Sequence, residues 1–198
     1  MIGHEGVATA LVRLLRDRGE PAARIVETQL GIPAGAIQVP TGENIHPTWL
    51  DVVAKGTFPT WMVVSQDTPL RRTGRAASVD GGDDEHDWLY PFVIVSHVVG
   101  RDERHVELQR YRLMLVVRTI LIQTKLLIKA GDEGARILVD DMQEVVGGMS
   151  QNPETKRYLM EGRNHFHVKT TELTPAIQVP WGPATSVESD ARVMDDEG

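Results

Sequence analysis

The stretch "WLYPFVIVSHVVGRDERHVELQRYRLMLVVRTILIQTKLLIK", Trp88 to Lys129, decides how this chain folds. Its first part is apolar on both alternating sides, with Trp88, Tyr90, Phe92, Ile94 and Val98 on one and Leu89, Val93, Val95 and Val99 on the other. A strand of that kind is covered from both faces, so it belongs in the middle of a sheet. Pro91 lies near its start, where a missing ladder donor is tolerated. After Gly100-Arg101-Asp102 the period changes, and one long helix follows. At about 100° per residue, Val106, Leu113, Val116, Val117, Ile120, Leu121, Leu127 and Ile128 fill one broad arc, interrupted mainly by Arg110 and Thr124. A separate narrow line carries Leu108, Leu115, Ile122 and Leu126, spaced by seven, seven and four as in a helix-helix seam. Charged and polar residues border this line, including Arg118 and Lys125 on one side and Arg112 and Thr119 on the other. A helix lying on a sheet needs only the broad arc. The narrow ridge therefore asks for a second packed partner, either an internal helix or another subunit.

Outward from this stretch, Val7, Leu11, Leu14 and Leu15 fall on one stripe of a first helix ending near Gly19, with Arg13 and Arg16 facing away. Pro21 opens a short second helix through Leu30, stopped by Gly31 and Pro33. Pro33 to Pro59 shows turn formers without a period, so it reads as mostly loop, with a short strand and a turn of helix near Trp49 to Ala54. Thr60 to Ser65 is a compact core strand. Residues 68–87 are charged and Gly-rich, the composition of a mobile loop or arm, with Arg71, Arg72 and Arg75 as its basic points. Beyond the long helix, "GDEGARILVDDMQEVV" gives a third strand and "SQNPETKRYLMEG" the start of a short helix. "GRNHFHVKTTELT" gives a fourth strand, with Phe166 and Val168 inward and His165, His167 and Lys169 outward. The expectation is an α+β fold: one domain over residues 1–174, with a mostly antiparallel mixed sheet of about four strands. That sheet packs against the long helix and the N-terminal helices, with extended loop or arm insertions and an acidic Pro/Gly/Ser-rich extension over 175–198. The near-repeat "AIQVPTG" and "AIQVPWG" is too short to make a domain repeat.

The 198 residues carry 41% hydrophobic and 25% charged side chains, which fits one globular domain plus appendages. Without cysteine there is no disulfide framework, thiolate metal site or cysteine nucleophile. A net charge of −7 argues against general nucleic-acid binding, which draws its affinity from Lys and Arg on phosphates. No run approaches the ~18 apolar residues of a membrane span, and the start "MIGHEGVATALVRLL" lacks a signal-peptide pattern, so membrane attachment is not expected. No GxSxG, GxxxxGK[ST], HExxH or strand-borne GxGxxG occurs, and Ser96 and His97 lie on opposite faces of a strand. His165 and His167 share a face, and with the loop "DGGDDEHD" they offer the remote alternative of a small metal-dependent hydrolase. The reading is that the chain is not an enzyme and uses no cofactor or metal.

In order, the chain shows an N-terminal helix ending at Leu30-Gly31, then "P.WMVVS" over Pro59 to Ser65, then "WLYPFVIVSHVVGRD", then the helix "RYRLMLVVRTIL". This order resembles the tail terminator (tail completion) proteins of long-tailed bacteriophages over about Val7 to Thr174, most sharply over Trp88 to Leu127. The insert at Thr68 to Asp87, the segment Pro33 to Pro59 and the last two dozen residues exceed that pattern. The resemblance implies a structural virion protein of the tail or neck, assembled in the host cytoplasm. It would form a ring, usually hexameric, at the head-proximal end of the tail tube, stopping tube growth and joining the tail to the head connector. Its partners would be copies of itself, the tail tube protein and a head-side connector or stopper protein, with DNA only passing through the channel. A stopper or adaptor of the head-tail connector is the alternative. On this reading Leu108, Leu115, Ile122, Leu126, Arg118 and Lys125 form the subunit or helix-packing interface, and Arg71, Arg72 and Arg75 an assembly arm.

Overall fold

The computed structural model describes residues 3–48, 58–66, 71–74, 84–130 and 133–174. The fold is α+β. Helix α1 spans Gly3–Leu30 and helix α2 spans Glu103–Gln123. The strands are β1 (Ile45–His46), β2 (Thr60–Ser65), β3 (Arg71–Gly74), β4 (Asp84–Gly100), β5 (Leu126–Ala130), β6 (Glu133–Gln151) and β7 (Tyr158–Thr174). Together they make one seven-stranded sheet in the order β1-β2-β4-β7-β6-β5, with β3 also paired to β4. The β1-β2 pairing is parallel and the others are antiparallel.

β4 occupies the centre, as its two apolar faces demand. Every one of its residues from Asp84 to Gly100 pairs with β7. On one face Tyr90, Phe92, Ile94 and Val98 meet Met160, Phe166 and Val168, and both helices cover them. The Phe92 and Phe166 rings stack with centroids 6.3 Å apart. The inner arc of α2 matches the expected list at Val106, Leu113, Val116, Val117, Ile120 and Leu121, all at most 1% exposed. Arg110 is also buried within that arc, its guanidinium over the Tyr111 ring. α2 lies close against the sheet at Gly162, where a Cβ would stand 2.4 Å from Met114 Sδ and 3.2 Å from Arg110 Cγ. Beside it Asn164 Nδ2 donates to the Met114 carbonyl at 3.3 Å, fixing the helix over β7. The opposite face of the sheet holds a smaller cluster of Met62, Val93 and Val95 with Phe58 and Val64.

Several expectations are corrected. α1 is a single 28-residue helix with Pro21 inside it, where two helices were read. An internal proline costs about 3 kcal/mol, but residues on both sides of it are anchored in one core: Val7, Leu11 and Leu15 before, Ala22, Ala23 and Val26 after. Gly19 is a point of close approach rather than a stop, since a Cβ there would lie 3.1 Å from the Trp61 ring. α2 ends at Gln123, where the Thr124 amide closes onto the Ile120 and Leu121 carbonyls. Leu126, Leu127 and Ile128 therefore belong to β5, which gains ladder bonds with β6 in place of further helical ones. The short helix expected from "SQNPETKRYLMEG" is instead the turn of a long β6-β7 hairpin. Asn152 Oδ1 accepts from the amides of Glu154 and Thr155, and Lys156 takes a positive φ of 54°. Serine, asparagine and proline signal a turn as readily as a helix start. The sheet has seven strands where about four were expected, because β3 and β5 carry no alternating pattern long enough to stand out. In residues 68–87, Arg71–Gly74 and the segment from Asp84 are paired strand, since backbone bonding to β4 needs no apolar side chains. Arg75, the turn expected near Trp49 to Ala54 and the extension 175–198 lie outside the described residues.

The loop after α1 is pinned by three side chains. Glu27, 2% exposed, accepts from the Ile37 amide at 2.8 Å and from Arg24 at 3.0 Å. The Ile37 amide bond, assisted by Arg24, holds the Glu27 carboxyl below the usual carboxylate range. Arg16, expected to face away into solvent, donates to the carbonyls of Gly42 and Ile45. Gln109 of α2 reaches the Ala36 carbonyl at 2.9 Å. Ile37 and Ile45 are thereby carried into the core.

The tight seat at Gly162 gives a measurable consequence. Gly162→Ala is expected to destabilise the fold by about 1 to 3 kcal/mol through overpacking. Met114→Ala combined with it should cost less than the sum of the two single changes, because the shortened side chain vacates the site of the clash. Additive losses in urea unfolding of the four proteins of the cycle would contradict this account.

Candidate assembly surface

Directly opposite the core-facing arc, α2 presents Leu108, Tyr111 and Ile122, exposed by 45%, 47% and 46%. A helix that is amphipathic toward one core should carry polar residues there. Leu115 sits between them but is half-buried, packed at the margin of the core. Of the expected ridge, then, Leu108 and Ile122 are open and Leu115 is partly covered. Leu126 is 47% exposed but lies on β5, beside a groove it shares with Arg13, Leu14 and Arg18 of α1. The ridge expected as one line is thus split between two elements.

The charged neighbours are also placed. Arg118 is half-exposed and stands 3.7 Å from Glu144 of β6, a separation at which a surface pair contributes little. Lys125 is exposed, and its carbonyl accepts from the Ile137 amide where β5 meets β6. Arg104 and Arg112 border the band on α2, while Glu107 is drawn toward Arg110 at 3.6 Å. The band is therefore apolar with a basic border. Arg71 and Arg72 lie on β3 opposite Leu89 and Trp88 of β4.

A second exposed apolar group was not anticipated. Val145, Val146 and Met149 of β6 are exposed by 42%, 49% and 54%. Val146 pairs with Gly162 and Met149 with Met160, so both lie on the face that carries α2, while Val145, opposite Arg163, lies on the other. β5 covers the outer edge of β6 only from Glu133 to Arg136. From Leu138 to Gln151 no strand pairs with that edge among the described residues. The sequence signal was the apolar pair before Gly147-Gly148, whose exposure reflects the lack of a strand on that side among the described residues.

On the face away from the helices, His165 and His97 are engaged structurally, while the Nδ1 of His167 is buried without a hydrogen-bond partner among the described residues. His165 Nδ1 lies 2.9 Å from Gln66 Nε2, and His97 Nε2 is 3.3 Å from Glu161 Oε2, with Arg163 also on that carboxylate. Asp87 pairs with Lys169 at 2.7 Å and accepts from Thr171. Among the described residues no three His, Asp or Glu side chains converge as a metal site. Ser96 faces the helices while His97 faces away, as the strand alternation requires. No protein-family model matches this sequence, and no curated protein matches it.

Two outcomes follow. Burial pushes the protonation of His97 down, against the pull of Glu161, and burial together with Arg163 does the same to His165. Both imidazoles bind protons more weakly folded than unfolded, so the stability they support is present above the unfolded value near 6.5 and lost as pH falls below it. The urea midpoint should therefore drop between pH 7 and pH 5, and His97→Leu should flatten that dependence; an unchanged slope would contradict the assignment. Separately, Ile122→Glu should leave the fold intact and abolish self-association, whereas Leu115→Glu, which places a charge at the core margin, should also lower the melting temperature. Thr119→Glu should do neither. Sedimentation and thermal unfolding of the three variants check this.

Proposed function

We propose that this chain is a structural ring protein at the head-proximal end of a phage tail tube, a tail terminator that halts tube growth and joins the tail to the head connector. The observation that carries the reading is the outward apolar band of α2, Leu108, Tyr111 and Ile122, on a helix already anchored to its own core. Burying each such side chain at a contact contributes roughly 1.5 to 3 kcal/mol. A contact that repeats around an axis multiplies that gain and closes a ring. An element order of N-terminal helix, core strand, central strand and crossing helix supports the same reading. So does the acidic balance of −7, which suits a channel through which DNA slides without sticking.

In this reading the ring is a hexamer and its partners are the tail tube protein on one side and a connector or stopper on the other. It needs no cofactor, belongs to the virion, and assembles in the host cytoplasm. A stopper in the same neck is the competing position, and genetics separates the two. Deleting the gene should leave filled heads and unattached tails of uncontrolled length, because nothing occupies the growing end of the tube. Tails of normal length beside heads that lose their DNA would overturn the terminator reading in favour of the stopper. Electron microscopy of the lysate is the measurement.

A further inference from the structure

We infer that the outer edge of β6, Val139 to Gln151, which no strand pairs with among the described residues, docks onto the outward band of α2 in a second copy of this chain. The inference rests on the ring reading and names the two surfaces that would meet in it. Each surface is apolar where it is exposed: Val145, Val146 and Met149 on β6, Leu108, Tyr111 and Ile122 on α2. An unpaired edge bearing such side chains is a surface that proteins keep covered.

Charge decides which surface covers it. The β6 segment carries exposed Asp140, Asp141 and Glu144 with no basic residue between Val139 and Gln151. The α2 band is bordered by Arg104, Arg112 and Arg118; of the two acids on this helix, Glu107 is turned to Arg110 and Glu103 lies in the first turn. With Glu144 and Arg118 already facing each other within the protomer, edge against edge would still set Asp140 and Asp141 against their own copies, and band against band would set Arg104 and Arg112 against theirs. Like-charge juxtaposition costs several kcal/mol at an interface. Edge against band instead places carboxylates beside guanidiniums around an apolar centre. The pair Arg118 and Glu144 meets within one protomer, at the seam where the two surfaces adjoin.

The two surfaces point in different directions. The α2 band faces away from the sheet, and the β6 edge faces sideways from it. A contact between unlike surfaces is heterologous, so each copy offers an edge to one neighbour and a band to the other, and the chain of contacts continues until it closes.

The absence of cysteine makes the test clean. Ile122→Cys and Met149→Cys would be purified separately, verified as folded by circular dichroism, and treated with a short bismaleimide alone and as an equal mixture. Glu20→Cys, exposed on α1, serves as the control. The expected result is a covalent dimer in the mixture only, and a ladder ending at the ring size when both substitutions share one chain. Arg112→Glu and Asp141→Arg should each weaken association roughly tenfold, and mixing the two should restore it. Ile122→Cys cross-linking to itself as well as to Met149→Cys would overturn the inference. If the wild-type protein forms rings by native mass measurement and the mixture still fails to cross-link, this pairing is wrong and the ring stands. A wild-type protein that stays monomeric at high concentration, with no cross-link, removes both.

Discussion

The ladder between β4 and β7 is the constraint on which the remaining structure depends. Seventeen residues of each strand pair without a break, from Asp84 opposite Thr174 to Gly100 opposite Tyr158. Because the pairing is continuous, the side chains of both strands keep strict alternation along the whole ladder. One face therefore gathers Phe92, Ile94, Phe166 and Val168 as a floor for the helices, and the other gathers His97, Glu161, Arg163 and His165. A shift of one residue would exchange the two sets and leave α2 resting on charges. Gly162 then sets how closely α2 approaches that floor, and Asn164 sets where along it the helix lies.

From that placement the assembly surface follows. With its inner arc fixed over β7, α2 turns Leu108, Tyr111 and Ile122 away from the sheet. The same geometry leaves β6 only partly roofed, since α2 reaches it mainly through Arg118 and Glu144. The outward band of α2 and the exposure of Val146 and Met149 on the helix face of β6 are thus consequences of where one helix sits, while Val145 is exposed on the other face. Neither is required by the protomer's own core, which closes with residues exposed by at most 9%.

How much of this was legible in the sequence depends on the range of the forces involved. The central position of β4 and the inner arc of α2 could be read because burial on a periodic element leaves a periodic trace. The open Leu108 and Ile122 were legible for the same reason, as apolar residues out of phase with the arc. The end of α2 was not, because Leu126 to Ile128 keep helical spacing by coincidence and the strand they form depends on β6. Pro21 and Gly19 read as breaks, and only the packing of Trp61 and of the residues around Pro21 shows why the helix continues through them. The exposure of Val145, Val146 and Met149 was hidden for a different reason: whether a strand has a neighbour along its edge depends on distant parts of the chain, and no local pattern records it. Arg16 read as a solvated helix charge, although it binds backbone more than twenty residues away, and nothing in the local pattern singled out Glu27, which binds the Ile37 amide.

The central place of β7 also bears on how the chain comes to be folded during synthesis. α1 and the loop pinned by Glu27 and Arg16 close over separations of 10 to 29 residues, so they can form while later parts are still being made. β4 cannot. Its principal partner begins at Tyr158, and until that segment leaves the ribosome the most apolar strand of the protein lacks the neighbour that completes it. At 5 to 20 residues per second, the wait from Gly100 to Thr174 lasts on the order of 4 to 15 seconds. The protein is thus vulnerable to chaperones and to clumping in a defined window, and slow translation of the β6-β7 hairpin would lengthen it.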